Sequence, residues 1–329
     1  MVSPNSTGSP NTTHSREVES TPSSDHMCQY MLSLSHVTTL NGKFEIVVFI
    51  FLFLLIVSSN TVLIYSMIKT NEIKTNTSKF MMALSVGDLV AALALIPTHI
   101  AIVHLQRFSC IGYSIKQFFE VFLGTSATLL TFGMGFDRYL FISKPHLHSS
   151  LESKVPPVLL IGFVVIYTIS FAFGGCVVAL VYSSASMRFA TVFNLVSIVV
   201  YVLVLSSSLL VNGLLLSYIR KQTKQIRRLS NTHIQSSYQQ RATKTVAFIS
   251  CIQFMTIAPW LISLLFMTFG IGEDEFILHA DTIYYVHLWL KMPMFVYSFL
   301  NSLVFLFRNR VLVKFIKSKI CKNKENQSK

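Results

Sequence analysis

Polar and apolar positions are segregated along this chain in long blocks. Residues 1–43 are rich in Ser, Thr, Asn and Pro, a composition that buries too little surface to order itself. Seven apolar runs follow, at 44–68, 80–104, 113–141, 156–183, 189–220, 241–269 and 280–307. Each is near or above the ~20 residues a helix needs to cross a bilayer. The runs are continuous, whereas the strands of a membrane barrel alternate and are about half as long. Little more than Ser183 to Arg188 separates the fourth and fifth runs. After the seventh, Arg308 to Cys321 mixes apolar and basic positions, as an interfacial amphipathic helix does. The pattern predicts an all-α membrane protein: a tail over 1–43, a seven-transmembrane-helix bundle over 44–307, and an amphipathic helix and tail over 308–329. Met1 is not followed by an apolar core, so no cleavable signal peptide is expected.

Charge fixes the expected orientation. Only 12% of the 329 residues are charged, about half the share in soluble domains. The net charge of +13 lies mostly between the spans, which argues against a nucleic-acid partner and for the lipid bilayer. Lys69, Lys74 and Lys79 follow the first span, Lys144 and Lys154 the third, and Arg220, Lys221, Lys224, Arg227 and Arg228 the fifth. Lys314, Lys317, Lys319 and Lys322 add to the tail. The other side has few basic residues, and Glu273, Asp274, Glu275 and Asp281 precede the seventh span. Basic loops stay in the cytoplasm, so the N-terminus is expected outside and the tail inside, at a cell membrane. An outside terminus makes the sequons at Asn5 and Asn11 glycosylation candidates.

Gly135-Phe136-Asp137-Arg138-Tyr139 closes the third span, and Pro145 stands seven residues after the arginine. An acid and a base at a membrane boundary are costly unless they satisfy one another or reach water; adjacent Asp137 and Arg138 offer the first. This stretch resembles the cytoplasmic end of the third helix in rhodopsin-like (class A) G-protein-coupled receptors. Asn60, Asp88 and Asn301 match that family's internal polar network, in which two asparagines can donate to a buried carboxylate. The alternative is polar glue between helices with no switching role. Tyr218 matches the family's fifth-helix tyrosine, and Pro259 its sixth-helix hinge proline. Other positions depart from the family pattern. The seventh helix reads Asn301-Ser302-Leu303-Val304-Phe305, without proline or tyrosine, and Pro293, about two turns earlier, shifts the expected bend outward. Gln253 stands at a usual phenylalanine position, and Trp260 three residues past the family's tryptophan. Ser298 and Asn301 match polar positions of a sodium site, but Ala127 and Tyr297 replace two others, which argues against sodium. Gln239 replaces a glutamate that latches the arginine in many members, which implies some ligand-independent signalling.

The resemblance implies an extracellular ligand and coupling to a heterotrimeric G protein through Asp137, Arg138, Tyr139 and Tyr218. The alternatives are a non-coupling scavenger or receptor partner, or a membrane transporter. No nucleophile, base and orienter occur at recognisable spacing, so an enzyme is not expected. Charged groups within the spans mark a ligand pocket: Lys116 and Glu120 in the third, Lys291 and His287 in the seventh. Glu120 lies eighteen residues before Arg138, where amine receptors of the family hold their ligand-pairing acid. Glu120 either meets a ligand ammonium or pairs internally, with Lys116 or Lys291. Lysine preceding glutamate is the weaker helical order, which favours Lys291. Such a pocket suits a small amine, a zwitterion or a peptide terminus. Opsins carry their retinal lysine at the position of Phe295, so no cofactor is expected. His99 and His104 could line the same mouth, without metal-ligand spacing.

The family staples the top of its third helix to the second outer loop, but that loop has no cysteine here. Cys28 with Cys110 is one candidate disulfide, and Cys176 is the other candidate partner for Cys110. Cys321 follows the amphipathic stretch, as a palmitoylated cysteine does.

Overall fold

A computed structural model describes residues 40–105, 110–180, 187–229, 233–269 and 273–327. Asn5, Asn11 and Cys28 lie outside the described residues, as do the side chains of His104, Cys110, Cys176, Gln239 and His287. Every described element is helical: α1 (Leu40–Lys69), α2 (Asn76–Leu105), α3 (Cys110–Ser143), α4 (Pro145–Lys154), α5 (Pro157–Leu180), α6 (Met187–Leu229), α7 (His233–Phe269), α8 (Glu273–Arg308) and α9 (Arg310–Gln327), with a 3-10 turn at Glu72–Lys74. Seven of them, all but α4 and α9, are long and apolar enough to cross a membrane. Three helices outrun their apolar segments: α6 continues to Leu229, α7 begins at His233 and α8 begins at Glu273. Polar helical turns beyond the hydrocarbon meet no desolvation cost, so hydropathy marks the membrane-crossing part and not the helix ends.

Local chemistry sets the breaks. After α1, Asn71 takes a left-handed conformation at φ 55°, which asparagine tolerates better than most residues. Thr75 caps α2: its hydroxyl accepts the Ser78 backbone N–H at 3.3 Å. Pro145 and Pro157 open α4 and α5, where the missing N–H would have no helical partner. Asn309 separates α8 from α9, and its Oδ1 accepts the N–H of Val311 at 3.0 Å and of Leu312 at 3.5 Å. Its Nδ2 reaches the Glu72 carboxylate at 3.3 Å, joining the start of α9 to the first loop. α7 runs unbroken through Pro259, and α8 through Pro293.

Helix α3 is the axis of the bundle, packed against α2, α5, α6 and α7. Lipid is as apolar as leucine, so helix association rests on close approach and polar contacts. Two glycines show that close approach. A side chain at Gly124 would fall 2.6 Å from the Tyr201 hydroxyl of α6, and one at Gly133 would fall 3.1 Å from the Phe80 ring of α2. Leu84, Leu130 and Tyr297 help fill the half of the core nearer Arg138, while Phe49, Leu95 and Phe295 help fill the other half. Large apolar side chains such as Phe163 and Met255 stay exposed on the outer surface, where the bilayer is their solvent.

Candidate functional site

The polar side chains that charge and motif single out fall at three depths along α3 and α8. At the Arg138 end, Asp137 accepts two hydrogen bonds, from Asn76 Nδ2 of α2 at 3.2 Å and from His148 Nε2 of α4 at 3.0 Å. Arg138 Nε donates to the Thr77 hydroxyl of α2, and its guanidinium lies 5.9 Å from the centre of the Phe141 ring. Among the described residues no ion pair joins Asp137 to Arg138. That corrects the expectation that they neutralise one another, and the reason is geometric. Successive residues on a helix do not face each other, so each finds a partner on another element: the acid takes Asn76 of α2 and His148 of α4, and the base takes Thr77 of α2. His148 also lies 3.7 Å from Glu152, placing it between two carboxylates. Tyr139 and Tyr218 are half-buried.

At mid-depth, Asp88 is buried with both oxygens engaged. Ser298 Oγ donates to Oδ1 and Asn301 Nδ2 to Oδ2, each at 2.9 Å. Asn60 does not reach the carboxylate. Its amide donates to the Ile56 carbonyl at 2.9 Å and to the Ser298 carbonyl at 3.2 Å. One asparagine therefore serves Asp88 directly, while the other ties α1 to the backbone that carries Ser298. The Ser302 and Ser59 hydroxyls lie 2.9 Å apart, so the residue in place of the family's proline makes an α8–α1 contact instead. Tyr297 at 2.8 Å from Thr131 Oγ1 joins α8 to α3. Gln253 Nε2 donates to Thr128 Oγ1 at 3.4 Å, and Trp260 stands edge-on to Tyr201 at 5.3 Å.

At the far end, Glu120 sits between two lysines. Lys291 Nζ is 2.8 Å from Oε2 and Lys116 Nζ is 3.4 Å from Oε1. The interhelical partner is closer, but the expected choice between lysines does not arise, because each oxygen takes one. All three side chains are largely shielded, with exposures of 14% for Glu120, 16% for Lys291 and 6% for Lys116. A second pair extends the cluster: His99 Nε2 lies 3.1 Å from Glu45 Oε1. The His99 ring packs on Phe49 at 4.4 Å. Lys116 is close enough for its charge to act on Glu45, and His99 close enough to act on Glu120. Glu45 is the member that the sequence does not single out. Two residues into the first apolar run, it reads as a boundary residue, and its one signal is that an acid stands there on the side with few basic residues.

Among the described residues no group of three or more His, Cys, Asp or Glu is placed to hold a metal ion. Cys251 and Cys321 are free and exposed.

Comparison with known proteins agrees with this architecture. Residues 59–305 match the family model described as 7 transmembrane receptor (rhodopsin family). The mouse cholecystokinin receptor type A is 31% identical over 114 residues, 34% of this chain and 25% of that receptor. The human olfactory receptors 10J5 and 6C70 are 29% and 31% identical over 118 and 139 residues. These matches cover 34% and 39% of this chain and 38% and 45% of the two receptors. The chain therefore spans less than half the length of each of these relatives, and they come from two different branches of receptor. The family match, by contrast, runs from within the first spanning helix to near the end of the seventh, so the chain belongs to the rhodopsin family of seven-transmembrane receptors, the class A G-protein-coupled receptors, as a multi-pass protein of the cell membrane.

Proposed function

We propose that this receptor transmits the binding of an extracellular ligand to a heterotrimeric G protein, with its N-terminus outside and its tail in the cytoplasm. The observation that carries the reading is the placement of two charged sites on one helix. Glu120, flanked by two lysines, lies five turns from Arg138, or about 27 Å at 1.5 Å per residue. Asp88 and its partners stand between them. The basic loops beside Arg138 support the orientation.

The ligand pocket is formed by Lys116, Glu120 and Lys291, with His287 one turn beyond Lys291. A carboxylate between two ammonium groups suits a zwitterion or a peptide terminus. A ligand carboxylate would compete for a lysine, and a ligand ammonium would compete for Glu120. Such a ligand drives signalling only by binding the coupling-competent state better than the resting one. In that state Arg138 leaves Thr77 and joins the surface that docks the G protein, with Pro259 and Pro293 as the points where α7 and α8 flex. A second reading, a receptor that captures ligand or partners other receptors without coupling, draws on Ser302 and Gln253, which stand where the family's signalling helices carry other residues.

The decisive experiment fuses the receptor to each G-protein type and measures nucleotide exchange, basally and across a library of amines, amino acids and peptides. Stimulated exchange that is lost in Arg138→Ala at matched surface expression is the expected result. Ligand binding with no exchange on any G protein would establish the capture reading instead.

A further inference from the structure

Two ionisable side chains stand beside the ligand pocket without belonging to it. Glu45 of α1 and His99 of α2 face each other, with His99 Nε2 3.1 Å from Glu45 Oε1. They are 4% and 3% exposed, and a buried carboxylate is costly unless a cation or a proton accompanies it. Among the described residues, the charged groups of this end are Glu45 on α1, Lys116 and Glu120 on α3, and Lys291 on α8. Lys116 lies 3.4 Å from Glu120, and its charge also acts on Glu45; His99 in turn acts on Glu120. The pair and the pocket are therefore one electrostatic unit, held by four helices.

With His99 neutral, two carboxylates meet two ammonium groups and the unit balances. An anion bound at Lys116 or Lys291 upsets that balance, because it draws on an ammonium that otherwise serves the carboxylates. Excess negative charge favours uptake of a proton nearby. Histidine is the side-chain type that ordinarily changes charge between about pH 5 and 8, and His99 touches one of the two carboxylates. The proton belongs to the coupled pair and not to either residue alone. One proton offsets one charge, which points to a monoanion. A ligand ammonium has the reverse effect: it competes with two lysines for Glu120 and disfavours a proton on the pair. We propose, on the reading of Lys116, Glu120 and Lys291 as the ligand pocket, that the group bound there is a carboxylate and that the His99–Glu45 pair takes up a proton as it binds. By linkage, a proton taken up with the ligand makes the ligand bind tighter in acid. The affinity rises by up to about tenfold per pH unit of acidification where the pair titrates. In the proposed orientation this end faces outward, so the receptor reads the anion and extracellular acidity together.

The test uses the full-length receptor in lipid nanodiscs and two probes of one skeleton and opposite charge, phenylpropionate and phenylpropylamine. Both stay ionised from about pH 6 to 8, as glutamate and lysine side chains ordinarily do. Dissociation constants are read from probe-dependent thermal stabilisation at each pH. Phenylpropionate should bind about tenfold tighter or more at pH 6 than at pH 8, and phenylpropylamine should not. The double variant Glu45→Gln with His99→Gln replaces the pair by neutral hydrogen-bonding groups. It should keep phenylpropionate binding and lose the pH dependence, whereas His146→Gln, exposed on α4, should retain both. Proton uptake by the unmodified receptor, followed in weakly buffered solution as phenylpropionate is added, gives the same answer without a variant. Equal phenylpropionate affinity at both pH values, no proton uptake, a pH dependence that survives in the double variant, or tighter amine binding in acid would overturn the proposal. Binding of the amine alone would leave the pocket standing and refute its anion. Binding of neither probe would refute the pocket itself, and the proposal with it.

Discussion

Glu120 is the residue whose removal should cost most. It is the one described carboxylate set between Lys116 and Lys291, and all three are largely shielded from solvent. Breaking a buried ion pair from one side strands the other charge, typically at about 3–5 kcal/mol. Glu120→Gln takes the shared carboxylate charge from both ammonium groups, whereas Lys291→Met leaves that charge with Lys116. Thermal unfolding of the purified receptor should therefore show a markedly larger loss of stability for Glu120→Gln than for Lys291→Met. The double variant should be less destabilised than the sum of the two, by at least about 1 kcal/mol of coupling. Equal single effects, or strict additivity, would mean that the two lysines do not share the carboxylate. Which residues carry this cluster was legible in the sequence, because charges inside apolar runs stand out. The geometry was not. Spacing along one helix favoured a single partner, and it carries no information on how far Lys116 bends toward an oxygen that Lys291 leaves open. Glu45 escaped notice because an acid near the end of a span ordinarily faces water, and only the fold brings His99 of α2 against it.

At the level of elements, long apolar runs specify their helices almost unaided, and all seven spans were readable from pattern alone. Helix α4 was not. Its sequence, Pro145-His146-Leu147-His148-Ser149-Ser150-Leu151-Glu152-Ser153-Lys154, has too few apolar positions to show a helical stripe. Pro145 at the first turn is its one local signal. The helix instead draws on the tertiary contact of His148 with Asp137 of α3, alongside the i,i+4 contact of His148 with Glu152 inside α4. A hydrogen bond to a charged partner contributes about 1.5–3 kcal/mol. His148→Ala should therefore raise amide hydrogen exchange across 145–154 by roughly ten- to a hundredfold, if α4 opens as a local unit. Exchange in the neighbouring α5 should stay unchanged. Protection in α4 equal to that of the unmodified receptor would show that its leucines, and not the imidazole, hold it in place.

For the whole molecule, the question under the proposed function is what holds α3 in the arrangement the structure shows. In this arrangement the acid and the base that end α3 are both turned toward neighbours on the same side: Asp137 to Asn76 and His148, Arg138 to Thr77. Asn76 and Thr77 begin α2, so the Arg138 end of α3 is moored to that helix. On the proposed function, coupling requires Arg138 to leave that mooring. A receptor whose competent state is a minor population of about 0.1–10% responds steeply to small changes in bias, since 1.4 kcal/mol is tenfold in the equilibrium. Thr77→Val keeps the shape of the side chain and removes the acceptor of the Arg138 hydrogen bond, which is worth about 1.5–3 kcal/mol when the donor is charged. Basal nucleotide exchange, at matched surface expression, should therefore rise by about tenfold or more if the bond belongs to the resting state alone. Stimulated exchange should change little, because the competent state has already given the bond up. A variant with unaltered basal exchange would place the restraint elsewhere, in contacts made equally in both states, and Thr77 would then be a packing residue of α2 and not a lock on α3.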